Sequence, residues 1–220
     1  MNRPRQSDLL PARVRRLTVW PARALLGLLL VSLLMTGCAS LRSGSHRPSA
    51  GGAWPTEYAA LQQLDEYSLS GRIAVAAGEQ GFSGSLRFQQ DGPRSDLTID
   101  GPLGIGGLHI DWDGQQLEVV TSRGERLDGE AARAELERRL GFSLPLAEMR
   151  YWLLGVASPD KPAETEFTSV PDQPQRVARL RQSDWAIEYS SFGETPPLPS
   201  KLTARRAGAR VRIAIDRWMR

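Results

Sequence analysis

Cysteine, histidine and long apolar runs are scarce in this chain of 220 residues, and each scarcity excludes something. One cysteine, Cys38, rules out an internal disulfide framework and a cysteine-based zinc site. Two histidines, His46 and His109, leave little material for metal ligation or triad chemistry, so no metal is expected. Neither Gly-x-Ser-x-Gly nor Gly-x₄-Gly-Lys-Ser/Thr occurs. Gly104-Ile105-Gly106-Gly107 is glycine-rich, but His109 stands where the dinucleotide fingerprint needs its third glycine, and a strand pattern follows instead of a helix. No cofactor is expected. Six of the 28 basic residues but one of the 25 acids precede residue 24, leaving 22 against 24 for the rest. The body of the chain is slightly acidic, and overall basicity gives no argument for a nucleic-acid partner. The composition leans away from an enzyme.

What is present begins with the leader. Residues 1–23 are arginine-rich, and residues 24–34 (ALLGLLLVSLL) form an eleven-residue apolar run. A membrane-crossing helix needs about 20 such residues, so this run fits the apolar region of a secretory signal. Met35-Thr36-Gly37-Cys38-Ala39-Ser40 follows and resembles the lipobox of bacterial lipoprotein precursors, with Met35 in place of the usual leucine. Cys38 is thereby the expected lipidation site, and Ala39 fits the sorting pattern of outer-membrane lipoproteins. Each buried CH₂ adds about 0.8 kcal/mol, so a multiply acylated Cys38 holds firmly to a bilayer. Residues 39–53, rich in Ser and Gly, read as a flexible tether spanning about 20 Å as a coil. The organisation expected is a signal peptide at 1–37, an acylated cysteine with its tether at 38–53, and a folded domain at 54–220.

Within that domain, residues 54–66 place Tyr58, Leu61 and Leu64 on one side of a helix. From Tyr67 the apolar period becomes two. Leu69, Ile73 and Val75 alternate with polar residues, as do Phe82, Leu86 and Phe88, then Leu97 and Ile99, Leu108, Ile110 and Trp112, and Leu117 and Val119. Short Gly-, Asp- and Gln-rich loops between these runs predict antiparallel hairpins, and the alternation predicts one wet face. Helices are predicted at 129–140, ending at Gly141, and across LPLAEMRYWLLG, with Pro145 in its first turn and Leu146, Met149, Trp152 and Leu153 on one stripe. Five more strands are expected at 164–170, 175–181, 184–192, 200–206 and 209–217. About ten strands and three helices make a single α+β domain.

The polar residues suggest little chemistry. His109 and Asp111 share one strand face and are expected to point to solvent. Asp65, Glu66, Asp96 and Asp100 read as solvated charge. Arg205, Arg206, Arg210 and Arg212 flank a hairpin turn, where they either steer an acidic partner or guard an edge strand against pairing. The loop Gly101-Pro102-Leu103-Gly104 predicts a type I turn, with Pro at i+1 and Gly at i+3, carrying Leu103 at its outermost point. On a membrane-tethered protein that leucine is worth about 1.5–3 kcal/mol when buried, without deep insertion.

Gly71-Arg72-Ile73-Ala74-Val75, Gly101-Pro102-Leu103-Gly104, Leu140-Gly141-Phe142-Ser143-Leu144-Pro145-Leu146, Tyr151-Trp152-Leu153-Leu154-Gly155, Leu198-Pro199 and Ile215-Asp216-Arg217-Trp218 occur in that order. In this order and spacing the chain resembles the LolB family of outer-membrane lipoprotein receptors. The resemblance implies a curved, open antiparallel sheet of about eleven strands, a half-barrel whose concave apolar face is covered by helices. It implies a cavity that takes acyl chains of lipoproteins from a periplasmic LolA-type carrier, and a loop, here Pro102, Leu103 and Gly104, that helps deliver them to outer-membrane lipid. It implies a periplasm-facing protein anchored through Cys38, and a monomer is expected. Candidates for the cavity lining are Ile73, Val75, Leu86, Leu97, Ile99, Leu108, Ile110, Leu117, Val119, Met149, Trp152, Ile187, Ile213 and Ile215, each of which fits plain core as well. Two other readings are a lipid-anchored scaffold of an envelope complex without acyl-chain binding, and a hydrolase, for which two histidines give little chemistry.

Overall fold

Alternation builds every long strand of this protein, because a two-residue period sends every second side chain to the same face of a sheet. A computed structural model describes residues 54–101, 106–168 and 175–219. Helix α1 (Trp54–Gln62) leads into β1 (Glu66–Ala77), β2 (Gln80–Asp91), β3 (Arg94–Asp100), β4 (Leu108–Trp112), β5 (Leu117–Thr121) and β6 (Arg126–Asp128). Helices α2 (Gly129–Leu140) and α3 (Leu146–Leu153) follow. Strands β7 (Ala163–Phe167), β8 (Val177–Gln182), β9 (Trp185–Phe192), β10 (Pro199–Arg206) and β11 (Ala209–Met219) complete the order.

All eleven strands form one antiparallel sheet in the order β6-β5-β4-β3-β2-β1-β11-β10-β9-β8-β7. The last strand pairs with the first, Ile73 facing Ile213 and Val75 facing Val211, so the two halves join at the centre. A bulge between Ser70 and Gly71 shifts that register, and Gly71 is required there: a Cβ would lie 2.1 Å from the Ala214 carbonyl oxygen. The sheet is open, and its edges are the short β6 and β7, which carry Arg126, Glu164 and Glu166, a common protection against edge pairing.

Eleven strands laid flat would span about 50 Å. Helices of 12 and 8 residues are only about 18 and 12 Å long. Yet α2 and α3 share one apolar cluster with Leu117 and Val119 of β5 and with Leu180 of β8 and Ile187 of β9. The sheet therefore wraps around the helices, and the apolar face of each strand is its concave face.

Three details differ from the sequence reading. Strand β6 is three residues long, too short to show a period, and went unread. Pro145 is the N-cap of α3 and not part of its first turn, which starts at Leu146. The arginine-rich hairpin β10–β11 lies in the middle of the sheet, hydrogen-bonded on both sides, so edge protection does not explain it. Cys38, His46, Pro102, Leu103 and Gly104 lie outside the described residues.

Candidate functional site

The concave face is closed by a short piece of chain whose geometry starts at Gly141. This residue ends α2 with φ 77°, its N–H donating to the Glu137 carbonyl at 2.8 Å, and a Cβ at that position would meet the Ala77 side chain at 2.7 Å. The chain then turns through Phe142, Leu144 and Pro145 into α3, with apolar residues at 140, 142, 144 and 146.

Between this segment and the sheet lie two apolar spaces. One, of about 30 Å³, is walled by Ile73, Val75, Leu86, Phe88, Leu97, Ile99, Val211 and Ile213 from the sheet and by Leu140, Phe142, Leu144, Met149 and Leu153 above it. The other, of about 40 Å³, extends toward Trp152, Trp185, Ile187, Leu202 and Ala204. Phe142, Leu144, Met149, Leu153, Val211 and Ile213 belong to both. The two are one hollow, partitioned by side chains of the covering segment, and among the described residues no charged side chain lines either part. A third space, a groove of about 260 Å³, opens beside α2 and is mixed in character, with Arg133, Glu137, Glu148 and Gln115 beside Leu117, Leu136, Leu144 and Leu146.

The far half of the cover is fastened by polar bonds. Tyr67 Oη on β1 donates to the Arg150 carbonyl, and Tyr189 Oη on β9 donates to the Trp152 carbonyl at 2.8 Å. Burial pushes both phenols well above the ordinary tyrosine range. Gln182 on β8 accepts from Trp152 Nε1 and from the Ser158 N–H, both at 2.9 Å, and donates to the carbonyls of Ser158 and Lys161, both at 2.8 Å. A glutamine buried to 2% exposure is thus fully satisfied and ties α3 and the strap behind it to the sheet. Phe142 and Leu144 are held differently. Phe142 meets Trp185 edge-on with centroids 5.3 Å apart, and Leu144 accepts only a local bond from Leu146 N–H at 3.0 Å.

Nine of the fourteen lining candidates stand on the hollow's walls: Ile73, Val75, Leu86, Leu97, Ile99, Met149, Trp152, Ile187 and Ile213. Leu117 lines the mixed groove instead. Leu108, Ile110, Val119 and Ile215 are buried but wall none of these spaces. Phe142 and Leu144 were missed because 141–145 sit in no regular element, although the alternation from 140 to 146 was legible; Val211, Leu202 and Ala204 share strand faces with residues that were named.

On the convex face His109 Nε2 lies 3.4 Å from Asp96 and its Nδ1 3.2 Å from Thr98 Oγ1. Asp111 is not its partner, since Arg94 Nε donates to that carboxylate at 2.9 Å. Ligand atoms of Asp96, His109 and Asp111 fall within 4.8 Å of one another, but the Arg94 cation already occupies this group. Asp100 is held by Arg87 at 2.8 Å and Glu118 by Arg126 at 2.6 Å, so these carboxylates belong to cross-strand ion pairs.

Residues 65–218 match the family described as outer membrane lipoprotein LolB. The chain is similar to the outer-membrane lipoprotein LolB of Nitrosococcus oceani, at 33% identity over 196 residues that cover 88% of this chain and 96% of that one. It is similar to the protein of the same name from Chromohalobacter salexigens, at 31% identity over 200 residues and 90% of each chain. Among solved structures, a LolA superfamily protein from Nitrosomonas europaea superposes with a TM-score of 0.46 at 14% identity, over 77% of this chain and 93% of that one.

Proposed function

This chain belongs to the LolB family of outer-membrane lipoproteins, and from that premise we infer how its hollow works. The protein is an outer-membrane lipoprotein that receives lipoproteins and inserts them in the outer membrane. It works with a LolA-type carrier. We read it as a binding and transfer protein and not an enzyme, acting as a monomer, without nucleic acid, metal or cofactor. Residues 1–37 are its signal peptide, Cys38 its lipid anchor, and 54–220 its receptor domain.

The observation that carries the mechanism is the partitioned apolar hollow. A water needs about 10–15 Å³ of such space, so spaces of about 30 and 40 Å³ hold little at rest. An acyl chain enters by displacing Phe142, Leu144 and Met149, the side chains that divide the hollow. Removing each CH₂ from water is worth about 0.8 kcal/mol, which offsets the displaced contacts and needs no directional bonds. An apolar wall therefore suits cargo that shares lipid but not sequence. Delivery then runs downhill from carrier to hollow to bilayer, with Leu103 at the loop tip touching the membrane.

The test mixes carrier loaded with labelled lipoprotein and residues 49–220 of this protein, which form a compact unit with its own core. Label is expected to move to the receptor without a membrane present. Retention on a carrier that still hands over to another receptor sinks the reading in favour of a scaffold. Leu103→Glu is expected to leave cargo uptake intact and to impair transfer onward to vesicles; normal onward transfer removes the loop role.

A further inference from the structure

The convex face is divided in its charge. On β2–β6 the arginines are matched: Arg87 with Asp100, Arg94 with Asp111, and Arg126 with Glu118. On β10, Arg205 and Arg206 are matched by Glu188 and Asp184, but on β11 the matching fails. Arg210 and Arg212 are exposed and have no acid within 4 Å among the described residues. Arg210 faces Arg205 directly across the β10–β11 pair, and Glu188, 2.5 Å from Arg205, is the acid beside them. Like charges placed directly opposite destabilise a sheet. Strand order removes edge protection as the reason, since both strands are central. The neighbours across β1 are Ala76 for Arg210 and Ala74 for Arg212, so the guanidiniums stand above a flat, small-residue surface and not in a groove.

This patch also has a defined position. Strand β1 runs to its turn at Gly78, whose N–H donates to the Gly208 carbonyl in the β10–β11 turn at 3.2 Å. Strand β3 runs parallel to β1, and its last residue, Asp100, lies level with Arg72 through Ser85, four residues along β1 from Ala76, which faces Arg210.

We propose that Arg210 and Arg212, with Arg205, form a headgroup patch that holds anionic phospholipid while the protein delivers its cargo. The proposal rests on the delivery reading above. A guanidinium matches a phosphate in shape and charge, and a flat cationic surface suits a mobile headgroup plane better than a protein of fixed relief. The gain from Arg210 and Arg212 at the membrane offsets what their repulsion costs the sheet.

Residues 49–220 are mixed with vesicles of phosphatidylcholine alone or enriched in phosphatidylglycerol, and co-flotation is measured at low and high salt. Binding is expected to favour phosphatidylglycerol and to fall with salt. The double variant Arg210→Gln with Arg212→Gln is expected to lose about thirtyfold in partitioning, from about 1 kcal/mol per basic residue at the surface. It is expected to fold normally, since it relieves a like-charge pair. A control, Arg87→Gln with Arg126→Gln, removes the same charge from the matched half and is expected to bind as the parent does. Equal loss in both variants, or no preference for phosphatidylglycerol, overturns the patch. So does unchanged vesicle binding accompanied by weaker uptake from the carrier, which would assign the arginines to an acidic protein surface. Leu103→Glu is expected to keep the salt-sensitive binding, so failure of the loop role and failure of the patch are told apart.

Discussion

Tyr67 and Tyr189 each bury a phenol whose hydroxyl reaches a carbonyl of α3, at Arg150 and Trp152. Burial disfavours the phenolate, so both groups keep their protons in the folded protein past the ordinary value near 10. The folded chain then binds more protons than the unfolded one above about pH 10, and stability falls as pH rises. Their contribution is complete below that pH and is lost progressively above it, toward the raised folded values. Urea midpoints from about pH 8 to about pH 11 are expected to fall more steeply for the parent than for the variant carrying Tyr67→Phe and Tyr189→Phe. Parallel slopes would show that other groups govern the alkaline limb. The sequence told neither phenol apart from Tyr58 or Tyr151, because burial at this depth comes from the layer above and not from neighbours in the chain.

At the scale of elements, α3 is clasped to the strap behind it and to the sheet, Glu148 in its first turn pairing with Lys161. Gln182 makes four hydrogen bonds that hold Trp152, Ser158 and Lys161 against β8. Gln182→Leu strands those buried partners, and unfolding in urea is expected to show a loss of about 2–4 kcal/mol. A loss under about 0.5 kcal/mol, ordinary for a surface change, would mean the clasp is dispensable. The other end of the cover, from Gly141 to Pro145, has no such clasp. Gly141→Ala is expected to cost about 1–2 kcal/mol, because an L-residue resists this left-handed backbone and its Cβ meets Ala77; a neutral effect in the same assay would place the turn's strain elsewhere. In the mechanism proposed above, a cover firm behind and apolar in front parts for acyl chains without unfolding α3.

At the scale of the whole molecule, the hollow exists because a wide sheet curls around two short helices that do not fill it. Ala204, a small wall residue on β10, gives a way to fill the second space. Ala204→Leu is expected to weaken binding of a fluorescent fatty-acid probe by severalfold, while stability stays level or rises by about 0.5–2 kcal/mol as for other filled cavities. Undiminished probe binding by the folded variant would locate the chains in the β1–β3 side of the hollow alone.

The sequence by itself determined the strand faces, the helix at 129–140, the outer-membrane lipoprotein family through six ordered motifs, and most of the apolar residues that came to wall the hollow. These are local properties, carried by a period of two, a terminal glycine and fixed spacings. It did not separate Ile213, on the wall, from Ile215, in the core, since both point to the same face of one strand and only the helices above decide which is covered. Nor did it show that 140–145 would divide the hollow or that Arg210 and Arg212 lie mid-sheet. Those followed when β11 closed back onto β1, a pairing between residues more than a hundred positions apart that no local pattern encodes.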